Sequence, residues 1–489
     1  MARYYPLRRI PEAARPGHFA RRMLPLIPAI LRSAAWTLAA SGAPPGSPMR
    51  EVLQAGAVQR GDQALEKAQD TFFAEPGLDT LLVRELSKLG STISRWNRVR
   101  LWTYIALGFD RDGRAARNLR RIPRMGYDSL MLTGLAFGKS LGYFTGGKVH
   151  AQLWWDSLGE VGQLPPEHPT PQVRRFQPPR SLGDLAADID DLYWADAYGQ
   201  AVKITQVGRG SNRRWLVSVP GTDHPEPESK PNVADLETNL REELNLPSAM
   251  RRGVIAAVNQ AMAAAGIEPS ARVHERVLVC GHSQGGMVAV GLAATAPAEL
   301  GFDVEGVITM GSPTRRLRLR PSVDMLALEH VQDVVPALDG TPRKVADQRV
   351  VVQRSLVKPR LGSLYYAHAS STYTDTLRQL ERRVQITRWG REAQVVEALQ
   401  RYLPRPGEET RVTHHYIWQE LVPTHANTAW TEYLELDRPD WEPVVYGDEV
   451  VSPELPPTPQ ELMEKVEAAL ENSALLAQLS RPEEAPRET

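Results

Sequence analysis

Hydrophobic and polar positions change their rhythm several times along the 489 residues of the chain. From about 49 to 147 the apolar positions follow a helical period, broken at Pro76-Gly77, Gly108, Asp112-Gly113, Pro123 and Gly126. Within this part Gly134, Gly138 and Gly142 form G-x-x-x-G-x-x-x-G, a spacing that predicts a bare stripe for close helix approach. Residues 164–180 hold six prolines and predict a linker. Beyond it, Leu182 to Tyr193 is helical, and short β-rich runs follow at 201–207, 215–219, 276–280, 304–309, 325–328 and 350–352. Several of these runs are almost wholly apolar, as expected of parallel strands covered on both faces. Helical runs separate them at 235–265, with a break at Pro247, at 284–296 and at 371–385. Strands alternating with helices predict an α/β fold built on a mainly parallel sheet.

The later chain is harder to read. Val412 to Leu421 is extended and aromatic-rich, Trp430 to Val445 is mixed, and Glu461 to Leu479 has the pattern of one amphipathic helix before a polar tail. The expected organisation is a basic arm (1–48), a helical region (49–163), the Pro-rich linker (164–180) and an α/β catalytic domain (181–390). A mixed extension (391–452) and an acidic C-terminal helix and tail (453–489) complete it.

Composition narrows the classes. Hydrophobic residues make up 42% and charged residues 24%, ordinary globular usage. Lys+Arg and Asp+Glu are both 58, so the excess of cations that a general nucleic-acid binder needs is missing. The balance is uneven along the chain. Residues 1–50 carry eight Arg and one Glu, and residues 441–489 carry eleven acids and three bases. The arm is read either as solvated or paired with acidic surface of the same chain, or as drawn to an anionic membrane surface, with the apolar stretch in 126–147 as a second peripheral membrane contact. No run reaches the ~18 apolar residues of a spanning helix. The one cysteine, Cys280, permits no intramolecular disulfide and no cysteine-rich zinc site. That suits a reducing cytosol, with membrane association left open. An export signal is disfavoured because Pro25, Pro28 and Arg32 interrupt the apolar run after Arg21-Arg22.

The chemistry-bearing motif is Gly281-His282-Ser283-Gln284-Gly285, a G-x-S-x-G between a predicted strand and a predicted helix. A strand-to-helix turn this sharp exposes the serine hydroxyl, and glycine on either side lets strand and helix pass closely. The backbone N–H of Gln284 then lies at a helix N-terminus, where the dipole favours a developing oxyanion. A second such donor is expected from the loop Pro220-Gly221-Thr222-Asp223, at Thr222 in preference to Asp223. A serine so placed needs a base, and the base a third group to hold it. In the chain order Ser, acid, His, the acid is expected at Asp333, just past a strand end, with Asp339 as the weaker rival because Asp-Gly is a common turn. The histidine is expected at His368, in a loop before a helix. His414, His415 and His425 remain as fallbacks, and His282 and His330 are read as wall or packing residues. Gly311-Ser312-Pro313 fits either a site wall or a plain turn.

With Pro220-Gly221-Thr222, Gly281 to Gly286, Gly311-Ser312-Pro313, the stretch from Glu329 to Gly340, and His368 with Tyr373, residues from about 200 to 385 resemble the α/β-hydrolase superfamily. Within it the chain is most similar to bacterial serine esterases and lipases. The resemblance implies a Ser283/Asp333/His368 triad that cleaves carboxylic esters of small molecules or lipids through an acyl-enzyme, with no cofactor and no metal. Pro220-Gly221 stands where some lipases carry a His-Gly loop, which leaves the substrate class open. A thioesterase or acyltransferase on the same triad is one alternative. A non-catalytic membrane- or partner-binding protein with a degenerate hydrolase domain is another. Residues 1–165 resemble no family.

Overall fold

In the computed structural model the described residues are 78–422, apart from 111–112, 114, 117–118, 120–125, 141, 160–162, 194–197, 225–228, 317–318, 341–348, 358–365 and 388, together with 445–446 and 449–450. The basic arm, His425, most of the mixed stretch after 422 and the acidic C-terminal helix lie outside them. Among the described residues the chain forms two compact units. One takes in 78–85 and 131–422; the other takes in 86–130 with 445–446 and 449–450.

The first unit is built on a mixed eight-stranded sheet in the order β1-β8-β2-β3-β4-β5-β6-β7. Its strands are β1 (Gly146–Asp156), β2 (Gln200–Val207), β3 (Arg214–Val219), β4 (Arg276–His282), β5 (Asp303–Met310), β6 (Asp324–His330), β7 (Val350–Arg354) and β8 (Thr410–Leu421). From β3 to β7 every pair is parallel, whereas β1, β8 and β2 join antiparallel. Period-two alternation assigns the side chains to two cores. Trp215, Val217, Val219, Val277, Val279, Met325 and Ala327 enter one core; Leu216, Leu278, Cys280, Leu326 and Leu328 enter the other.

Helices run along the chain as α1 (Leu78–Ala106), α2 (Gly126–Ser140), α3 (Leu182–Leu192), α4 (Leu236–Glu243), α5 (Ala249–Ala264), α6 (Gln284–Ala294), α7 (Ser370–Thr387) and α8 (Arg391–Gln400). The first core is closed by α5 and α6 and the second by α3, α7 and α8. Caps set the helix starts: the side chains of Ser181, Asp235 and Ser248 accept from the N–H groups of Asp184, Thr238 and Arg251. Each fully buried Val, Leu or Ile side chain contributes about 1.5–3 kcal/mol, so the two cores hold the sheet.

The predicted strands and helices from 182 to 385 occur close to their expected positions. Three domain assignments and two expected contacts need correction. The helical region does not run to 163, because Gly146–Asp156 is the strand β1 at the sheet edge. The Pro-rich stretch 164–180 is not a linker between domains. Val173 is buried against Leu192 and Ala201, and the Gln177 carbonyl accepts from Lys203 Nζ at 2.7 Å, so the segment straps the sheet. Nor does the α/β domain stop at 390 and give way to a mixed extension. Strand β8 lies between β1 and β2, paired on both sides, and α8 packs in the second core.

The glycine stripe does not bring two helices together. A Cβ at Gly134 or Gly142 would meet open space, and one at Gly138 would strike the Phe144 ring. Close backbone approach occurs instead where α1 meets the start of α2. There a Cβ on Gly90 would lie 1.7 Å from the Gly126 carbonyl oxygen. The 126–147 stretch is also not an apolar membrane face. Leu132, Leu135, Ala136, Tyr143 and Phe144 are buried against Leu244 and Leu246, and Lys139 is buried 3.1 Å from Glu237. Among the described residues no helix is long and apolar enough to cross a membrane.

Candidate active site

Strand β4 delivers Ser283 at its carboxyl end, and α6 begins at the next residue. Ser283 has φ 53° and ψ −120°, a left-handed backbone that costs a non-glycine residue about 1–3 kcal/mol. The Ser283 N–H donates to the Met310 carbonyl at 2.9 Å, which pins the turn to β5. The flanking glycines are steric requirements. A Cβ on Gly281 would lie 2.2 Å from the Gly285 carbonyl, and one on Gly285 would lie 2.2 Å from the Val219 oxygen.

Three predicted residues meet here. His368 Nε2 is 3.0 Å from Ser283 Oγ, and His368 Nδ1 is 2.8 Å from Asp333 Oδ2. Asp333 follows β6, and His368 precedes α7 in the loop after β7. The serine and histidine are partly exposed, whereas Asp333 is buried. Two further donors hold the carboxylate: the Tyr373 hydroxyl to Oδ2 at 2.7 Å and the Val335 N–H to Oδ1 at 3.0 Å. The ordering is chemically directional. A carboxylate accepts from Nδ1–H, so the neutral imidazole presents a bare Nε2 to the serine hydroxyl.

The backbone donors beside Ser283 can be followed one by one. In the loop after β3, the Gly221 N–H donates to the Tyr193 hydroxyl at 2.6 Å and the Asp223 N–H to the Ala234 carbonyl at 2.9 Å. That leaves the Thr222 N–H in this loop. Among the described residues neither the Thr222 nor the Gln284 N–H donates to a protein acceptor. The loop sits hard against the serine, since a Cβ on Gly221 would lie 2.8 Å from Ser283 Cβ. The Gln284 side chain braces it: Nε2 donates to the Asp235 carbonyl at 2.8 Å and to Asn239 Oδ1 at 3.0 Å. Asn239 Nδ2 in turn donates to Thr222 Oγ1 at 2.8 Å.

A relay behind the site was not legible in the sequence. His282 Nε2 donates to the carbonyl of His368 at 2.7 Å. Its Nδ1 therefore accepts from the Tyr193 hydroxyl, at 2.6 Å. Burial, helped by the neighbouring His368, pushes the His282 pKa well below its ordinary value, so the ring stays neutral. Burial likewise raises Tyr193, keeping its proton on. One continuous chain thus ties the Gly221–Thr222 loop to the loop that carries His368. Tyr193→Phe is expected to leave a buried N–H and a ring nitrogen unpaired and to cost about 1–3 kcal/mol. Urea unfolding checks this, and an unchanged midpoint contradicts it.

The other sequence candidates take structural roles. Asp339 Oδ2 accepts the Arg315 N–H at 2.9 Å, and Arg315 pairs with Glu329 at 2.8 Å. His330 stacks on Tyr373 with ring centroids 3.7 Å apart, and burial takes its pKa down to about 4. His414 and His415 lie buried in β8 with pKa values lowered by burial to about 3, and neither bonds to a triad residue. Cys280 is buried, and burial raises its thiol pKa, so it is no nucleophile. Gly311 (φ 62°) packs against Tyr373 and Asp333, and Ser312 against Gly286, so this turn walls the site.

Tyr373, which sequence reasoning left without a role, falls in a buried stripe of α7 with Leu377 and Leu380. A hydroxyl in such an i, i+4, i+7 face signals a partner. The sequence matches no protein-family model, no curated protein and no solved structure.

Proposed function

We propose that the chain is a serine hydrolase of the α/β-hydrolase type that cleaves carboxylic esters through an acyl-enzyme. The observation that carries this reading is the unbroken row from Asp333 Oδ2 through His368 to Ser283 Oγ, with the serine strained at a strand–helix turn. His368 takes the Ser283 proton as Oγ attacks the ester carbonyl carbon. Asp333 fixes the imidazole tautomer and stabilises its charged form. The N–H groups of Gln284 and Thr222 receive the oxyanion, each worth about 3 kcal/mol in the transition state. The C–O bond to the alcohol breaks as His368 returns the proton to the leaving oxygen. Water, deprotonated by His368, then releases the carboxylic acid and restores Ser283. Support also comes from location: every group lies beyond the carboxyl ends of parallel strands, where α/β sheets hold their ligands.

A panel of water-soluble carboxylic esters and thioesters, with and without an added alcohol, tests the reading. We expect release of acid and alcohol from oxygen esters. Dominant transfer to the added alcohol identifies an acyltransferase on the same residues, and preference for thioesters a thioesterase. No turnover across the panel, in folded protein, favours a binding scaffold and contradicts the proposal.

A further inference from the structure

The second unit carries a surface that the hydrolase chemistry does not use. Along α1 and the residue just after it, Trp96, Val99, Arg100, Tyr104 and Leu107 recur at i, i+3, i+4, i+8 and i+11, one helical face. The large apolar groups on it are exposed: Trp96 71%, Val99 53%, Tyr104 48% and Leu107 63%. Phe109, 58% exposed just past the helix end, meets the Tyr104 ring at 5.5 Å. Together they border an open groove of about 710 Å³. Five exposed large apolar side chains in one patch mark a docking surface.

Charge identifies what docks there. Residues 95–124 contain nine Arg, two Asp and no Lys or Glu. Of these, Arg95 and Arg100 are exposed on α1, while Asp110 accepts the Ala115 and Ala116 N–H groups. Arginine beside Trp, Tyr, Leu and Phe on one helix face suits the boundary between headgroups and acyl chains of an anionic bilayer. Single-stranded nucleic acid would use the arginines and aromatic rings, but not the exposed aliphatic Val99 and Leu107. We infer that the α1 face from Trp96 to Phe109 lies on an anionic membrane surface with its apolar side chains at acyl-chain depth. The inference does not rest on the hydrolase reading. An inactive protein that still binds membranes leaves it standing.

Co-sedimentation of the full chain with vesicles tests it, comparing equimolar phosphatidylcholine and phosphatidylglycerol with phosphatidylcholine alone. The anionic vesicles should carry down at least about tenfold more protein, less at high salt. A Trp96→Ser/Leu107→Ser/Phe109→Ser variant and an Arg95→Glu/Arg100→Glu variant should each lose about tenfold in binding, with unchanged thermal unfolding. Three results overturn the inference. Wild type stays in the supernatant with anionic vesicles; both variants bind as wild type does; or wild type is a dimer that the serine variant breaks, which makes a second copy the occupant.

Discussion

Replacing Ser283 by alanine is expected to lower kcat on a carboxylic ester by a factor on the order of 10⁶. The fold should survive. Ser283 Oγ bonds only to His368 among the described residues, and the Ser283 N–H that pins the turn is backbone. The Gln284 and Thr222 N–H groups, which the proposal assigns to the oxyanion, and substrate binding should leave a residual rate of roughly 10³–10⁴ over water. Ser283→Gly separates strain from chemistry. Glycine accepts φ 53° without the penalty a side chain incurs, so this variant should be as inactive as the alanine one yet more stable by about 1 kcal/mol. Steady-state kinetics and urea unfolding on the two variants check both halves. Retained turnover in Ser283→Ala removes the nucleophile from the account.

Asp333→Asn is expected to cost about 10⁴ in kcat with a smaller change in KM. Asp333 Oδ2 now accepts two hydrogens, from His368 Nδ1 and from the Tyr373 hydroxyl. With its oxygen at Oδ1, where it keeps the Val335 N–H, an amide turns an N–H₂ toward the imidazole from the Oδ2 position, and Tyr373 loses its acceptor. His368 then accepts at Nδ1 and carries its proton on Nε2, pointing a donor at Ser283 where a base is needed. Tyr373→Phe should be milder, because the carboxylate keeps its bonds to His368 and the Val335 N–H. A kcat loss under tenfold in Asp333→Asn would mean that another group orients the histidine.

The site was legible where its signal is local. Gly281, Ser283 and Gly285 announce a tight strand–helix turn because only glycine fits against the Val219 and Gly285 backbones. Asp333 and His368 followed from chain order and from their places beyond strand ends. The rest depends on partners far apart in sequence. Tyr193 reaches His282 across 89 residues, and Tyr373 reaches Asp333 across 40. No window around either tyrosine reveals the bond.

The sheet shows the same limit. The strands β3 to β6 are apolar runs bounded by turns and read directly. Strand β8 carries His414 and His415 at buried positions and takes its place only by antiparallel pairing with β1 (Asp156 opposite Thr413, Gly146 opposite Leu421) and with β2. The extended character of Val412 to Leu421 was legible, but its place between β1 and β2 was not, because that pairing joins segments far apart in the chain. The α1 surface escaped notice for the opposite reason. Its apolar residues have ordinary helical spacing, and only their exposure marks them.

The most direct test of the central claim is covalent capture of the nucleophile. A fluorophosphonate probe reacts with a serine whose hydroxyl is activated by a neighbouring base and whose oxyanion donors face the phosphoryl oxygen. Peptide mapping of the labelled wild-type protein should find the adduct on Ser283 alone, with labelling lost in Ser283→Ala and slowed in Asp333→Asn. A folded wild-type protein that never labels, or one that labels at another serine, contradicts the account.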